Sequence, residues 1–213
     1  MFAQDQFTSK ARRMLTSGFF LLVFASSLSI TLTLAYASLG TTPHERFITL
    51  STVGGDMTTR SIYASSNAFV GNGEVLNWNV RVYNHMGDTE YVAIRVKLLN
   101  ATQFGPDEAL HLPSPVNHVY EEKRILADNA TMTVPLVIIL KDVSIAAGDS
   151  KITPISINGK DIEGLAVSND NSNSFRFIIE LWRYDTKFED FVYTWPSGPE
   201  SESAWNQIRI MVK

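Results

Sequence analysis

Asn77-Trp78-Asn79-Val80-Arg81-Val82 is the stretch that decides the fold. Its apolar residues fall at every second position, with a polar residue between each pair. Period two is the repeat of a pleated strand with one face on a core and one in water. The same pattern returns along the chain. Val92, Ile94, Val96 and Leu98 alternate with Ala93, Arg95 and Lys97. Phe175, Phe177, Ile179 and Leu181 alternate with Arg176, Glu180 and Trp182, and Ile208, Ile210 and Val212 with Gln207 and Arg209. Two more strands are expected at Arg46–Val53 and Val134–Leu140, the second holding Pro135, which suits a strand start or an edge. Asn84-His85-Met86-Gly87-Asp88 is short and turn-rich, and predicts a hairpin between the strands on either side.

Gly54-Gly55, Gly71-Asn72-Gly73, Asn158-Gly159 and Pro196-Ser197-Gly198-Pro199 mark further turns. Many short strands with turns between them predict an all-β domain, an immunoglobulin-like antiparallel β-sandwich. Two long connections remain: Gln103–His118, with three prolines, and the polar, glycine-bearing Ile145–Ser174. Long loops on a sandwich are where binding residues collect.

Ahead of this domain lies an uncharged run from Met14 to Leu39, preceded by Lys10, Arg12 and Arg13. About twenty apolar residues cross a bilayer core. Basic residues on the N-terminal flank keep that flank in the cytoplasm and export the chain beyond the span. The expected organisation is a cytoplasmic tail over 1–13, a transmembrane anchor over 14–39, a tether over 40–46 and an extracytoplasmic sandwich over 47–213. A cleaved signal peptide is the competing reading, because Ala35-Tyr36-Ala37 has the small-x-small form of a cleavage site. Ala25, Ser29, Thr33 and Ala37 fall four apart on one helical stripe, a spacing that suits close packing against another membrane helix.

Composition narrows the chemistry. The chain has no cysteine, which removes thiolate nucleophiles, Fe–S clusters and cysteine-ligated zinc. An exported domain without disulfides fits an archaeal or bacterial surface better than a small secreted scaffold. Lys10, Arg12 and Arg13 against Asp5 give the tail a net +2, which leaves the rest of the chain at −6 of the total −4. Nucleic acid is a poor partner for such a surface, since binding it depends on cations that displace counterions.

Motifs for catalysis are missing. There is no GxSxG elbow, no phosphate-cradling glycine loop and no HExxH. Glu121-Glu122, Asp107-Glu108 and Glu189-Asp190 are acidic pairs that no spacing rule selects. Ser168–Asn173 lacks the glycine and glutamate of a calcium loop. His44, His85, His111 and His118 show no i, i+2 or i, i+4 spacing; only His111 and His118 share a loop and could meet at a metal. Neither an enzyme nor a cofactor is implied.

Two features point to binding and modification. On the C-terminal strands the aliphatic residues face one way and push Trp182 and Trp205 to the other, with Tyr184, Tyr193 and Trp195 in the connection. An exposed cluster of these five would suit a protein interface or a glycan-stacking surface. Asn100-Ala101-Thr102 and Asn129-Ala130-Thr131 are N-glycosylation sequons.

Several segments together carry a family likeness: Pro43-His44-Glu45-Arg46-Phe47 directly after the span, Gly54-Gly55, the Asn84-His85 turn, Asn129-Ala130-Thr131 before the Pro135 strand, and Phe191-Val192-Tyr193 before a tryptophan-bearing last strand. The chain resembles the archaeal membrane-anchored family of domain-of-unknown-function sixteen-sixteen, whose exported domain is similar to immunoglobulin-like adhesion modules of prokaryotic surfaces. The resemblance implies an archaeal envelope protein and carries no catalytic residues. The expected function is an anchored module that binds a neighbouring envelope protein, a surface-layer component or a glycan. A pilus-like structural subunit and an accessory subunit of a membrane metalloenzyme are the alternatives.

Overall fold

The computed structural model describes residues 19–36, 46–59, 69–197 and 200–213. The chain divides into two compact units, Met1–His44 and Glu45–Lys213. In the first, Phe19–Tyr36 is an α-helix, α1, long and apolar enough to cross a membrane. Eighteen residues rise about 27 Å, close to a bilayer's hydrocarbon thickness. Four of its hydroxyls are satisfied within the helix: Ser26 and Ser27 donate to the carbonyls of Val23 and Phe24, and Thr31 and Thr33 to those of Ser27 and Ser29. Those four side chains can therefore sit in an apolar surrounding with their hydroxyls paired. The ends of the expected 14–39 span, and Ala37 of the small-residue stripe, lie outside the described residues.

The second unit is all-β. In chain order its first strands are β1 (Phe47–Gly54), β2 (Phe69–Val70), β3 (Val75–His85), β4 (Glu90–Leu99), β5 (Tyr120–Leu126) and β6 (Thr131–Leu140). Five short ones come next: β7 (Val143–Ala146), β8 (Asp149–Ile152), β9 (Ile155–Ile157), β10 (Lys160–Ile162) and β11 (Val167–Asn169). The last are β12 (Ser174–Asp185), β13 (Asp190–Val192), β14 (Trp195–Ser197), β15 (Glu200–Glu202) and β16 (Ala204–Val212). One sheet runs β1-β3-β6-β9-β10 and the facing sheet β2-β16-β12-β4-β5, with β13 on the end of β12. This is an immunoglobulin-like antiparallel sandwich. The single parallel pairing among the described residues is the short β2 along β16.

The inward rows are those the alternation picks out. Trp78, Val80 and Val82 of β3 meet Val92–Leu98 of β4 and Phe175–Leu181 of β12 in one core. At its centre the Trp78 ring stands edge-on to Phe177 across the two sheets, centroids 5.2 Å apart.

Two expectations fail here. The Asn84–Asp88 connection is no hairpin, because β3 and β4 lie in different sheets. The corner is held by Asn84, whose buried amide donates to the carbonyls of Asp88, Leu126 and Ala127 and accepts from the Met86 amide. Those bonds replace the ladder that a hairpin would have supplied. Nor is Ile145–Ser174 a loop; it holds most of β7 through β11, including the small sheet β11-β8-β7. Its strands are too short for a period to show.

Pro135 lies inside β6, opposite Asn79 of β3. On its other side β9 pairs only Ile138–Leu140. Asn158 fills the gap, accepting from the Val137 amide and donating to the Pro135 carbonyl. The missing proline N–H thus falls where no strand needs it. Asn158 and Gly159 both take positive φ, 50° and 77°, the geometry of the tight turn joining β9 to β10.

Candidate interaction surface

The face of β12 turned away from the core carries Arg176, Ile178, Glu180, Trp182 and Tyr184. By alternation it should be solvated. Instead Ile178 and Glu180 are fully buried. The cover is the proline-rich Gln103–His118 connection. It is held by a buried ion pair, Lys97 on β4 with Glu180 on β12, N···O 2.9 Å. Lys97 Nζ also donates to the Ser114 carbonyl at 2.6 Å, and the Ser114 amide donates to Glu180 Oε1 at 2.8 Å. Trp182 Nε1 donates to Glu180 Oε2 at 3.0 Å. Each charge is paired and hydrogen-bonded, which is what burial of an ion pair demands.

The five aromatic residues singled out from the sequence separate. Trp182 is half-buried on the outer face, with the Arg95 guanidinium 4.0 Å above its ring and Tyr193 5.6 Å away. Trp205 is half-buried opposite Glu180 on the neighbouring strand. Tyr184 is half-buried against Tyr91 and Phe191. Tyr193 is buried, and Trp195, 1% exposed, belongs to the main core. An exposed cluster of all five is therefore incorrect. Turning Trp195 inward removes on the order of 200 Å² of surface from water, more than a half-exposed position could.

Burial pushes the Tyr193 phenol up to about 12, partly offset by the Ser203 hydroxyl. A folded value above the unfolded 10 means full stability below pH 10, lost as pH rises through 12. Tyr193→Phe should flatten the fall in thermal midpoint between pH 9 and pH 11. An unchanged slope would show that the hydroxyl is solvated in the folded state.

The outer face does display an aromatic row, in which Tyr184 is joined by residues that the strand pattern leaves unmarked. Ile125 of β5 pairs with Tyr91 of β4, and Tyr184 of β12 with Phe191 of β13. The Tyr91 ring lies 5.8 Å from Tyr184 and 5.0 Å from Phe191, and the Lys123 ammonium sits 4.8 Å over Phe191. Ile125 is 74% and Tyr91 39% exposed. Beside the row, Glu121 joins Arg95 at 2.8 Å and Lys123 at 3.0 Å. Partial burial, the largest single influence on the Glu121 carboxyl, raises its pKa, but those two cations together outweigh it and hold the group below the usual range. β5 reads Tyr-Glu-Glu-Lys-Arg-Ile-Leu, too charged to announce itself as a strand but well suited to a sheet edge.

His44 lies outside the described residues, and His111 and His118 are not brought together. His111 contacts Ser203 Oγ at 3.2 Å and its carbonyl accepts from Thr194 Oγ1, toward the β16 side of the sheet. His118 lies by Arg95 and Glu121, on the β4–β5 side. Burial, with the nearby Arg95 and Lys97 cations, lowers its pKa. Among the described residues no three His, Asp or Glu side chains converge as a metal site would need. His118 instead lines an open groove of about 940 Å³ with Leu98, Phe104, Val116, Ile162 and Leu165.

The two sequons also differ. Asn100 is half-buried at the end of β4, and Asn129 is exposed at the turn from β5 to β6.

No protein-family model matches the chain, and no curated protein matches it in sequence. Among solved structures it is similar to the CARDB domain of a Pyrococcus furiosus protein, crystallised in complex with di-metal ions: 10% identity, 81% of this chain and 97% of that one, TM-score 0.38. It is similar to a β-glucosidase of Listeria innocua at 15% identity and TM-score 0.37, covering 78% of this chain but 16% of the enzyme. A third similarity, at 10% identity and TM-score 0.35, is to the sporulation control protein Spo0M of Bacillus subtilis, over 78% of this chain and 49% of that one. The fold assignment rests on the strand registers and the shared core.

Proposed function

We propose that the chain is a single-pass envelope protein, its N-terminus cytoplasmic, whose exported sandwich binds a neighbouring envelope component without catalysing a reaction. The observation that carries the reading is α1, eighteen residues without a charge and exposed along its whole length in the unit that holds it. Lys10, Arg12 and Arg13 before it orient the chain. The resemblance to the archaeal domain-of-unknown-function sixteen-sixteen family fits the same reading.

The binding surface in this proposal is the Ile125–Tyr91–Tyr184 row. Exposed aromatic and aliphatic residues on rigid strands, flanked by Arg95, Lys123 and Glu121, have the make-up of an interface centre with a polar rim. A protein or surface-layer partner suits this row.

Both halves can be tested on the full chain. Since it has no cysteine, Glu163→Cys and Ser9→Cys give single labelling sites. A membrane-impermeant maleimide should label the first in intact cells and the second only after lysis; the reverse overturns the orientation. Ile125→Glu with Tyr91→Glu should reduce recovery of co-purifying envelope components at least tenfold with the thermal midpoint preserved. Undiminished recovery removes the row from the proposal.

A further inference from the structure

The geometry points to different fates for the two sequons: Asn129 carries an N-linked glycan whose first sugar rests against the Phe47–Tyr83–His85 rings, and Asn100 stays bare. This rests on the export proposed above and goes beyond it, since both triplets are equivalent in sequence.

Asn129 is exposed and holds a left-handed φ of 56° at the turn where the Ala130 amide returns to the Ala127 carbonyl. Its Oδ1 accepts from the Tyr83 hydroxyl at 3.3 Å and lies 2.5 Å from His85 Nδ1. Its Nδ2 donates to Asp128 Oδ2 at 2.7 Å. A carboxamide nitrogen has two hydrogens, and a glycosidic bond takes one. The other can keep the Asp128 contact, and Oδ1 is untouched. Modification at Asn129 therefore requires no lost hydrogen bond.

The surroundings suit a sugar. Thr131 of the sequon is registered opposite Tyr83. The Tyr83 and His85 rings are stacked with centroids 6.0 Å apart, and Phe47 lies 4.9 Å from His85 and 5.9 Å from Tyr83. All three residues are half-buried and keep some accessible surface. Ring faces are negative and the C–H face of a pyranose is weakly positive, so the two attract.

At Asn100 the amide is half-buried and ties its own turn to the backbone of a distant segment. Oδ1 accepts from the Thr102 amide, the Thr102 hydroxyl and the Gln103 amide at 2.9–3.0 Å, closing a turn on itself. Nδ2 donates at 2.8 Å to the carbonyl of Ser168 on β11. The side chain is thus a strut between two segments 68 residues apart, and it is half-buried. The Thr102 hydroxyl is also engaged with the same Oδ1.

The transfer needs a lipid-borne, phosphate-activated sugar and a transferase. The bond from Nδ2 to the anomeric carbon forms as that carbon's bond to the phosphate oxygen breaks. The phosphate leaves with the electron pair, and one Nδ2 proton passes to a base of the transferase.

Trypsin separates the sequons, with Asn100 in peptide 98–123 and Asn129 in peptide 125–141. The full chain is purified from membranes of cells that make such a transferase and its lipid-linked sugar, and the peptides are weighed. Peptide 125–141 should carry a sugar mass that disappears in Thr131→Ala, and peptide 98–123 should have its unmodified mass. A sugar on 98–123 overturns the assignment. So does a bare 125–141 on chains whose Glu163→Cys is labelled from outside; a probe unlabelled from outside overturns export, and this inference with it. Sugar proton resonances shifted upfield, and restored by Phe47→Ala, report the ring contact. Unshifted resonances on a modified Asn129 overturn that part.

Discussion

Replacing Lys97 by methionine should destabilise the sandwich by about 3–5 kcal/mol, the usual result of stripping one partner from a buried ion pair. Glu180 is fully buried, and the Lys97 side chain is its only cation in contact among the described residues. In Lys97→Met the carboxylate keeps the Ser114 amide and the Trp182 indole as donors but loses the opposite charge. It must then stay charged in an apolar setting or take up a proton, and both disfavour the folded state. The Ser114 carbonyl loses its donor at the same time, so the covering loop should loosen at Ser114 first. Urea denaturation of the detergent-solubilised chain should show a lower midpoint at unchanged slope, and hydrogen exchange should quicken at the Ser114 amide. Adding Glu180→Leu should recover part of the loss, because the unpaired charge goes while the Ser114 and Trp182 N–H groups are left without an acceptor. A loss below about 1 kcal/mol in the single variant would mean that water reaches the pair.

Asn84→Ala should destabilise by about 2–4 kcal/mol, since buried polar groups left without partners are each worth about 1–3 kcal/mol. One amide ties together the β3–β4 crossing and the β5–β6 turn: it bonds Asp88, Leu126 and Ala127 carbonyls and the Met86 amide. No backbone ladder can take over, as β3 and β4 are in different sheets. Asn84→Asp separates donor from acceptor. A carboxylate can still accept from Met86 but offers nothing to three carbonyls, so it should be at least as damaging as alanine. If aspartate instead folds with native stability, the carbonyl contacts are incidental.

Both sites were partly visible in the sequence, and the reasons differ. Asn84 stood in a turn-rich segment, but a turn between two alternating runs reads as a hairpin whether the chain folds back or crosses over. Glu180 stood in the polar phase of a strand, where period two predicts solvent. The aromatic face suffered in the same way. Trp182 does lie on the side opposite the core, while Trp195 turns inward and Tyr193 is buried. Tyr91 and Ile125, the exposed members of the row, gave no signal because a tyrosine next to a valine and an isoleucine in a charged strand are unremarkable locally.

The sequence alone determined the all-β class, the inward rows of β3, β4, β12 and β16, and an uncharged helix fit to cross a membrane. These depend on the spacing of residues a few positions apart, which backbone geometry converts directly into faces. Tertiary structure alone decided which strands share a sheet, that a proline-rich loop lies over an outer face, and that one sequon asparagine is a half-buried strut while the other is exposed at a turn. Those outcomes depend on contacts between segments tens of residues apart, and no local period encodes them.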